Sequence, residues 1–106
     1  LLASCTTTNI NTGYYWGNYS QTLYKLKTSP GDNSLKNHIE ELQSIIDYSE
    51  KNTIRVPPGI HAELGYRLAQ TNQNSRAKAE LNKETVTYPE SKPFIDRVSI
   101  FLGLDN

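Results

Sequence analysis

The stretch that decides the fold is HAELGYRL, at residues 61–68 of a chain of 106 residues. It places large side chains at His61, Leu64 and Leu68, and the small residue Gly65 directly follows the central one. Large residues three and four positions apart lie on one face of an α-helix, so the stretch predicts an amphipathic helix. We expect the small residue to let a neighbouring helix approach closely, because glycine has no Cβ.

The same spacing occurs twice more, at residues 16–23 and 95–102. Its positions are filled by Trp16, Tyr19, Ser20 and Leu23 in the first copy and by Ile95, Val98, Ser99 and Leu102 in the last. Ile95 follows His61 by 34 residues, which is the period of the tetratricopeptide repeat (TPR). Ala77, Leu81 and Pro89 fall where that repeat has a small contact, a large packing residue and a terminating proline. The pattern therefore resembles TPR helices, and the alternative is packing of ordinary helical hairpins.

The first unit of the repeat runs from Trp16 to His61 and is longer than the period of 34 residues. Trp16 and His61 are 45 residues apart, 11 more than the repeat requires. We expect the extra length in the loop at residues 27–33, in a longer second helix and in the connection at residues 52–59.

The remaining helix start and stop signals in the sequence also predict helices. Apolar residues at helical spacing follow a polar N-cap segment at residues 32–34, and they are Leu35, Ile39, Leu42, Ile45 and Ile46. A last apolar face, predicted from residues 91 or 92 onward, comprises Phe94, Ile95, Val98, Phe101 and Leu102, with Gly103 as the C-cap. No stretch alternates with period two. The prediction is an all-α domain at residues 14–106 with about five helices: two TPR-like hairpins and a C-terminal capping helix.

Cys5 is the single cysteine, so no disulfide framework within the chain is expected. The sequence LLASC at residues 1–5 resembles the end of a bacterial lipoprotein signal peptide, the lipobox. The resemblance implies cleavage before Cys5, lipidation of its sulfur and, because Thr6 follows, sorting to the outer membrane. Residues 1–4 would then be residual signal peptide and residues 5–13 a flexible tether. The alternative is an incidental cysteine.

The balance of charged residues limits the classes of partner that the chain could bind. Lys and Arg number 11, Asp and Glu also number 11, and the formal net charge is +0. Binding to nucleic acid ordinarily needs a basic excess, so we expect no nucleic-acid partner.

Two pairings of histidine with glutamate were considered as chemical sites: His38 with Glu41, and His61 with Glu63. Two ligands do not make a zinc site, and His61 occupies a packing position of the repeat. We therefore expect packing or surface roles for both histidines, no cofactor and no enzymatic activity.

Aromatic residues cluster at the start of the helical domain. Trp16 and Tyr19 are expected to fill inner positions of the first helix. Tyr14, Tyr15 and Tyr24 are the candidate partner-binding residues, because tyrosine is enriched at interface hot spots.

Taken whole, the chain resembles an uncharacterised family of small Gram-negative outer-membrane lipoproteins with a TPR-like fold. The segments that carry the resemblance are YYWGNY at residues 14–19, RVPPG at 55–59, HAELGY at 61–66 and YPES at 88–91. Members are domains of unknown function, often encoded beside a lipoprotein similar to the curli secretion channel. The resemblance implies a role in a cell-envelope assembly.

The function expected from these observations is that of a lipid-anchored adaptor at the periplasmic face of the outer membrane. It would bind other envelope lipoproteins or an extended peptide in its helical groove. The alternative is a self-associating structural subunit of an envelope ring or secretion-channel assembly. The weakest alternative is a periplasmic enzyme or metal carrier that uses His38 and His61.

Overall fold

A computed structural model describes residues 13–104, and within that range the chain forms five α-helices and no strands. The helices are α1 (Tyr19–Thr28), α2 (Asp32–Lys51), α3 (Ile60–Gln70), α4 (Asn74–Thr87) and α5 (Lys92–Phe101), with a 3-10 turn at Pro89–Ser91. The all-α prediction with about five helices is confirmed. The lipobox at residues 1–4, Cys5 and most of the tether lie outside the described residues.

The hydrophobic core lies between α2, α3 and α4. The apolar face of α3 is fully buried at Ile60, Leu64 and Leu68, as its spacing predicts. Leu42, Ile45 and Ile46 from α2 and Ala77 and Leu81 from α4 complete the centre of this core.

Gly65 marks the closest approach of two helices. A Cβ placed on it would lie 2.9 Å from Cγ of Leu81 and 3.0 Å from the backbone oxygen of Ala77, both on α4. These distances are shorter than van der Waals contact, so only glycine fits between α3 and α4 without displacement. The expected reason for a small residue at this position is confirmed.

The first copy of the pattern is packed differently. Trp16 precedes α1 instead of lying on it, and α1 contains no fully buried residue. Ser20 is exposed, so the close helix approach expected there does not occur in the structure, whereas Tyr19 and Leu23 are half-buried. The cause is position: α1 lies at the end of the helical stack and packs chiefly on α2.

The start of α2 also differs from the expectation. The helix begins at Asp32 with Gly31 as its N-cap, and no side chain caps it. The hydroxyl of Ser34 instead donates to the backbone oxygen of Ser29, at 2.8 Å. The extra length of the first unit lies in α2, which has 20 residues against 14 in α4, and in the connection that follows it. The loop between α1 and α2 is not longer.

Among the described residues, the C-terminal helix is covered on one side only. Ile95 is buried, but Phe94 is 54% and Phe101 is 82% exposed, so these two members of the predicted apolar face do not pack in the core. Gly103 adopts a φ of +74° after the helix, and Leu104 N–H donates to the backbone oxygen of Ser99. This is the glycine-dependent helix ending that the sequence predicts.

Across residues 13–104, no helix combines the length and the apolar content that crossing a bilayer would require.

The first prediction concerns Gly65. Gly65→Ala adds a Cβ where Leu81 and Ala77 leave no room. Overpacking costs about 1–3 kcal/mol, and the better helix propensity of alanine offsets about 1 kcal/mol of it. We expect the free energy of unfolding, measured in urea, to fall by up to about 2 kcal/mol.

The matched control is Ser20→Ala, at the equivalent position of the first copy. Because Ser20 is exposed, this change should alter the free energy of unfolding by less than about 0.5 kcal/mol. Equal effects of the two substitutions would contradict the close approach at Gly65.

Candidate binding groove

An open groove of about 770 Å³ lies between the start of α1, α3 and α5. Its aromatic lining comes from three parts of the chain and comprises Trp16, Tyr19, Tyr66, Phe94 and Phe101. Its charged lining comprises Glu63, Arg67 and Arg97. The groove thus joins helices that are far apart in sequence, on the side of the molecule that α2 and α4 do not cover.

The aromatic lining is accessible. Phe94 and Phe101 are among the most exposed large apolar residues in the described chain, and Trp16 and Tyr66 are each more than one-third exposed. Exposed aromatic side chains in a concave surface have the character of interface hot spots. The groove is therefore the strongest candidate for a binding site in residues 13–104.

The carboxylate of Glu63 builds one wall of the groove. Its Oε1 accepts a hydrogen bond from the Tyr19 hydroxyl at 2.6 Å. Its Oε2 lies 2.8 Å from Nε2 of His38 and 3.2 Å from Nη2 of Arg67. Since these partners lie on α1, α2 and α3, one side chain ties three helices together.

This network changes the ionisation of its members. Burial acts to raise the pKa of Glu63, but hydrogen bonds from His38 and Tyr19 and attraction by His38 and Arg67 outweigh it and lower the pKa to about 2. Burial, together with the hydrogen bond to Glu63, raises the pKa of Tyr19 to about 12. At neutral pH the wall therefore carries an ionised Glu63 and a protonated Tyr19.

The two arginines of the groove differ in their bonding. Arg67 pairs with Glu63, and its guanidinium lies 5.2 Å from the centre of the Tyr66 ring. Arg97 is exposed and, within the part of the chain that the structure describes, has neither an ion pair nor a hydrogen-bond partner for its side chain. Arg97 therefore carries the groove's uncompensated charge.

Both histidine pairings considered from the sequence are wrong. His38 is fully buried and faces Glu63 instead of Glu41. His61 is also buried, with its Nδ1 2.8 Å from Oε1 of Glu80. Sequence spacing favoured partners on the same helix, whereas the fold brings each histidine to a carboxylate on a neighbouring helix.

The hydroxyl of Thr22 lies 2.7 Å from Nδ1 of His38. The Thr22 hydroxyl, the His38 imidazole and the Glu63 carboxylate are therefore hydrogen-bonded in a row. Thr22 does not line the groove, and its Oγ1 lies 3.3 Å from the backbone oxygens of Asn18 and Tyr19. The contact holds α1 against α2. Among residues 13–104, no three His, Cys, Asp or Glu residues are grouped to hold a metal ion.

Two other glutamates cap helix starts from a neighbouring helix. Glu41 of α2 accepts a hydrogen bond from Asn18 N–H at 2.7 Å, at the start of α1. Glu84 of α4 accepts from Gly59 N–H at 2.9 Å and from Ala62 N–H at 3.0 Å, at the start of α3. Each carboxylate satisfies backbone donors that no residue of the capped helix reaches, and the positive end of the helix dipole favours its negative charge.

The tyrosines proposed from sequence as partner-binding residues do not line the groove. Tyr15 stacks on Tyr48 of α2, with ring centres 3.8 Å apart. Tyr14 interacts with Tyr88, and burial together with this contact raises the pKa of Tyr88. Tyr24 is 70% exposed on α1.

Sequence reasoning missed the groove residues Tyr66, Phe94, Arg97 and Phe101 as a site. The available signal was that Phe94, Arg97 and Phe101 fall on one face of α5 at spacings of three and four. The spacing predicts only an apolar face, because the sequence does not show which part of that face is left uncovered by the other described helices.

Comparison with known proteins gives one match. The model of the family described as "Domain of unknown function (DUF4810)" matches residues 14–98, which include most of the helical body and all of the groove except Phe101. No curated protein and no solved structure matches the chain.

The second prediction concerns Glu63. Its folded pKa, about 2, lies below the ordinary value of 4.5. A lowered carboxylate pKa stabilises the fold above pH 4.5, and the stabilisation is lost as the pH falls towards 2. We expect Glu63→Gln to reduce the free energy of unfolding by about 3 kcal/mol at pH 6. The difference from the unsubstituted protein should shrink towards pH 2.

Urea unfolding followed by circular dichroism at several pH values measures this difference. Glu40→Gln, on the exposed face of α2, is the control and should keep the acid dependence of the unsubstituted protein. A Glu63→Gln protein whose deficit stays constant from pH 6 to pH 2 would show that ionisation of Glu63 does not stabilise the fold.

Proposed function

The chain belongs to the DUF4810 family, and we propose that it is a TPR-like adaptor, anchored through lipid on Cys5 to the periplasmic face of a Gram-negative outer membrane. It binds partner envelope proteins in the groove between α1, α3 and α5. The observation that carries the proposal is the groove itself, with exposed aromatic side chains and no described segment of the chain seated on them.

The arrangement of the helices supports a binding role. The groove is formed by the helices that carry the three copies of the repeated pattern, at residues 16–23, 61–68 and 95–102. In repeat proteins, successive helices of this kind form the concave surface that binds partners.

The anchor rests on the sequence LLASC at residues 1–5. Each buried methylene of a lipid chain contributes about 0.8 kcal/mol, so a lipoprotein with several chains stays on its membrane. Anchoring would hold the groove within a tether's length of the membrane surface, where partner lipoproteins are concentrated.

A second function is supported by α5. Ile100 and Phe101 are mostly exposed on the helix at the end of the stack. A second copy of the chain that packed on this helix would bury both side chains, which is the behaviour of a self-associating subunit in an envelope ring or secretion-channel assembly.

The third prediction separates these functions. A photo-crosslinking phenylalanine analogue at position 101 should give, in the native envelope, a covalent product with a different envelope protein. The same analogue at Val86, which is 80% exposed and outside the groove, should give little product.

Mass spectrometry of the product identifies the crosslinked protein. A product that contains two copies of this chain would favour the self-associating subunit over the adaptor. Equal yields at positions 101 and 86 would count against binding in the groove.

The fourth prediction concerns the anchor. Cys5→Ala in the full precursor should abolish incorporation of labelled fatty acid and release the protein from the membrane fraction, because the thiol that carries the lipid is gone. Thr6→Asp should keep the label but change the membrane to which the protein is sorted. Label that persists in Cys5→Ala would show that Cys5 is not the anchor.

A further inference from the structure

The exposed face of α5 carries a charge at its centre. Phe94, Arg97 and Phe101 are spaced three and four residues apart, so they lie in one stripe along the helix. All three line the groove. A partner that covers the two phenylalanines therefore also covers Arg97.

No described residue of the groove compensates that charge. Within residues 13–104, Glu63 is the only carboxylate of the lining, and both of its oxygens are already bonded, to Tyr19, His38 and Arg67. Arg97 has no partner of its own in residues 13–104. Covering an arginine without a counter-charge is costly, whereas a carboxylate can pair with guanidinium through two hydrogen bonds.

We infer that the occupant of the groove is a protein segment with apolar side chains and a carboxylate that pairs with Arg97. The apolar side chains pack on Phe94 and Phe101. The carboxylate is an acidic side chain that lies between them in the partner segment, because Arg97 lies between the two phenylalanines along the helix. This inference rests on the proposed function and adds the chemistry by which the groove selects its partner.

The charges of the groove disfavour a basic partner segment and a purely apolar one. A basic segment would bring a second cation to Arg97, and the charge of Glu63 is already paired with Arg67. A purely apolar segment would bury the phenylalanines but leave the guanidinium without water or counter-charge. Both are outcomes that the experiment detects.

The test uses matched fluorescent peptides and the full chain of 106 residues. The peptides alternate Phe or Ile with Ser, have an amidated terminus and differ at the central position, which is Glu, Gln or Lys. A fourth peptide has Gln at the centre and a free terminal carboxylate. Fluorescence anisotropy should show the Glu peptide binding about fivefold more tightly than the amidated Gln peptide at low salt. The preference should vanish at about 1 M salt, where the screening length is about 3 Å.

Charge reversal gives the decisive variant. Arg97→Glu should abolish the preference for carboxylate and favour the Lys peptide, whereas Arg76→Glu, on the exposed surface of α4 outside the groove, should change nothing. Both arginines are exposed, so neither substitution should alter the urea unfolding midpoint. The free-carboxylate peptide should bind more weakly than the Glu peptide, because a chain terminus placed at Arg97 leaves one of the two phenylalanines uncovered.

Two results would overturn the inference. One is that none of the peptides binds, and the other is that Arg97→Glu leaves the order of affinities unchanged. Failure here is distinct from failure of the proposed function. If the envelope protein still crosslinks at position 101 but Arg97→Glu does not affect its capture, the groove binds a partner by packing alone.

Discussion

The first helix of this protein depends on one carboxylate. α1 contributes no fully buried residue, so hydrophobic burial alone does not hold it on the core. Glu63, on α3, reaches Tyr19 of α1 and His38 of α2, and its ionised form is stabilised where the three helices meet. Together with the contacts of Thr22 with His38 and of Asn18 with Glu41, it fixes α1 and Trp16 as one of the groove's three sides.

The parts of the fold that sequence could predict are those set by local patterns. The apolar face of α3, Gly65 with its close neighbour helix, the break at Pro89 and the ending at Gly103 all follow from spacing within about one helical turn. The structure confirms each of these features. Each depends on residues that are close together in the chain or on one helix–helix contact that the repeat period implies.

The site could not be predicted in the same way, because it depends on which helices lack a neighbour. Phe94 and Phe101 have the spacing of a core face, and only the end position of α5 leaves them exposed. The histidines have glutamates nearby in sequence, yet His38 and His61 bond to carboxylates on other helices. Spacing identified the helix faces, but the three-dimensional arrangement of the helices decided what each face does.

The starts of α1 and α3 are capped by glutamates that belong to α2 and α4. Neither capped helix therefore contains the group that caps its own start. A peptide cut from either helix would lack the carboxylate that satisfies its first backbone donors. The smallest part that could be transplanted into another repeat protein is then a pair of helices, with the second supplying the cap of the first. α5 starts from its own proline-containing turn at Pro89–Ser91, so its start does not depend on a glutamate of another helix.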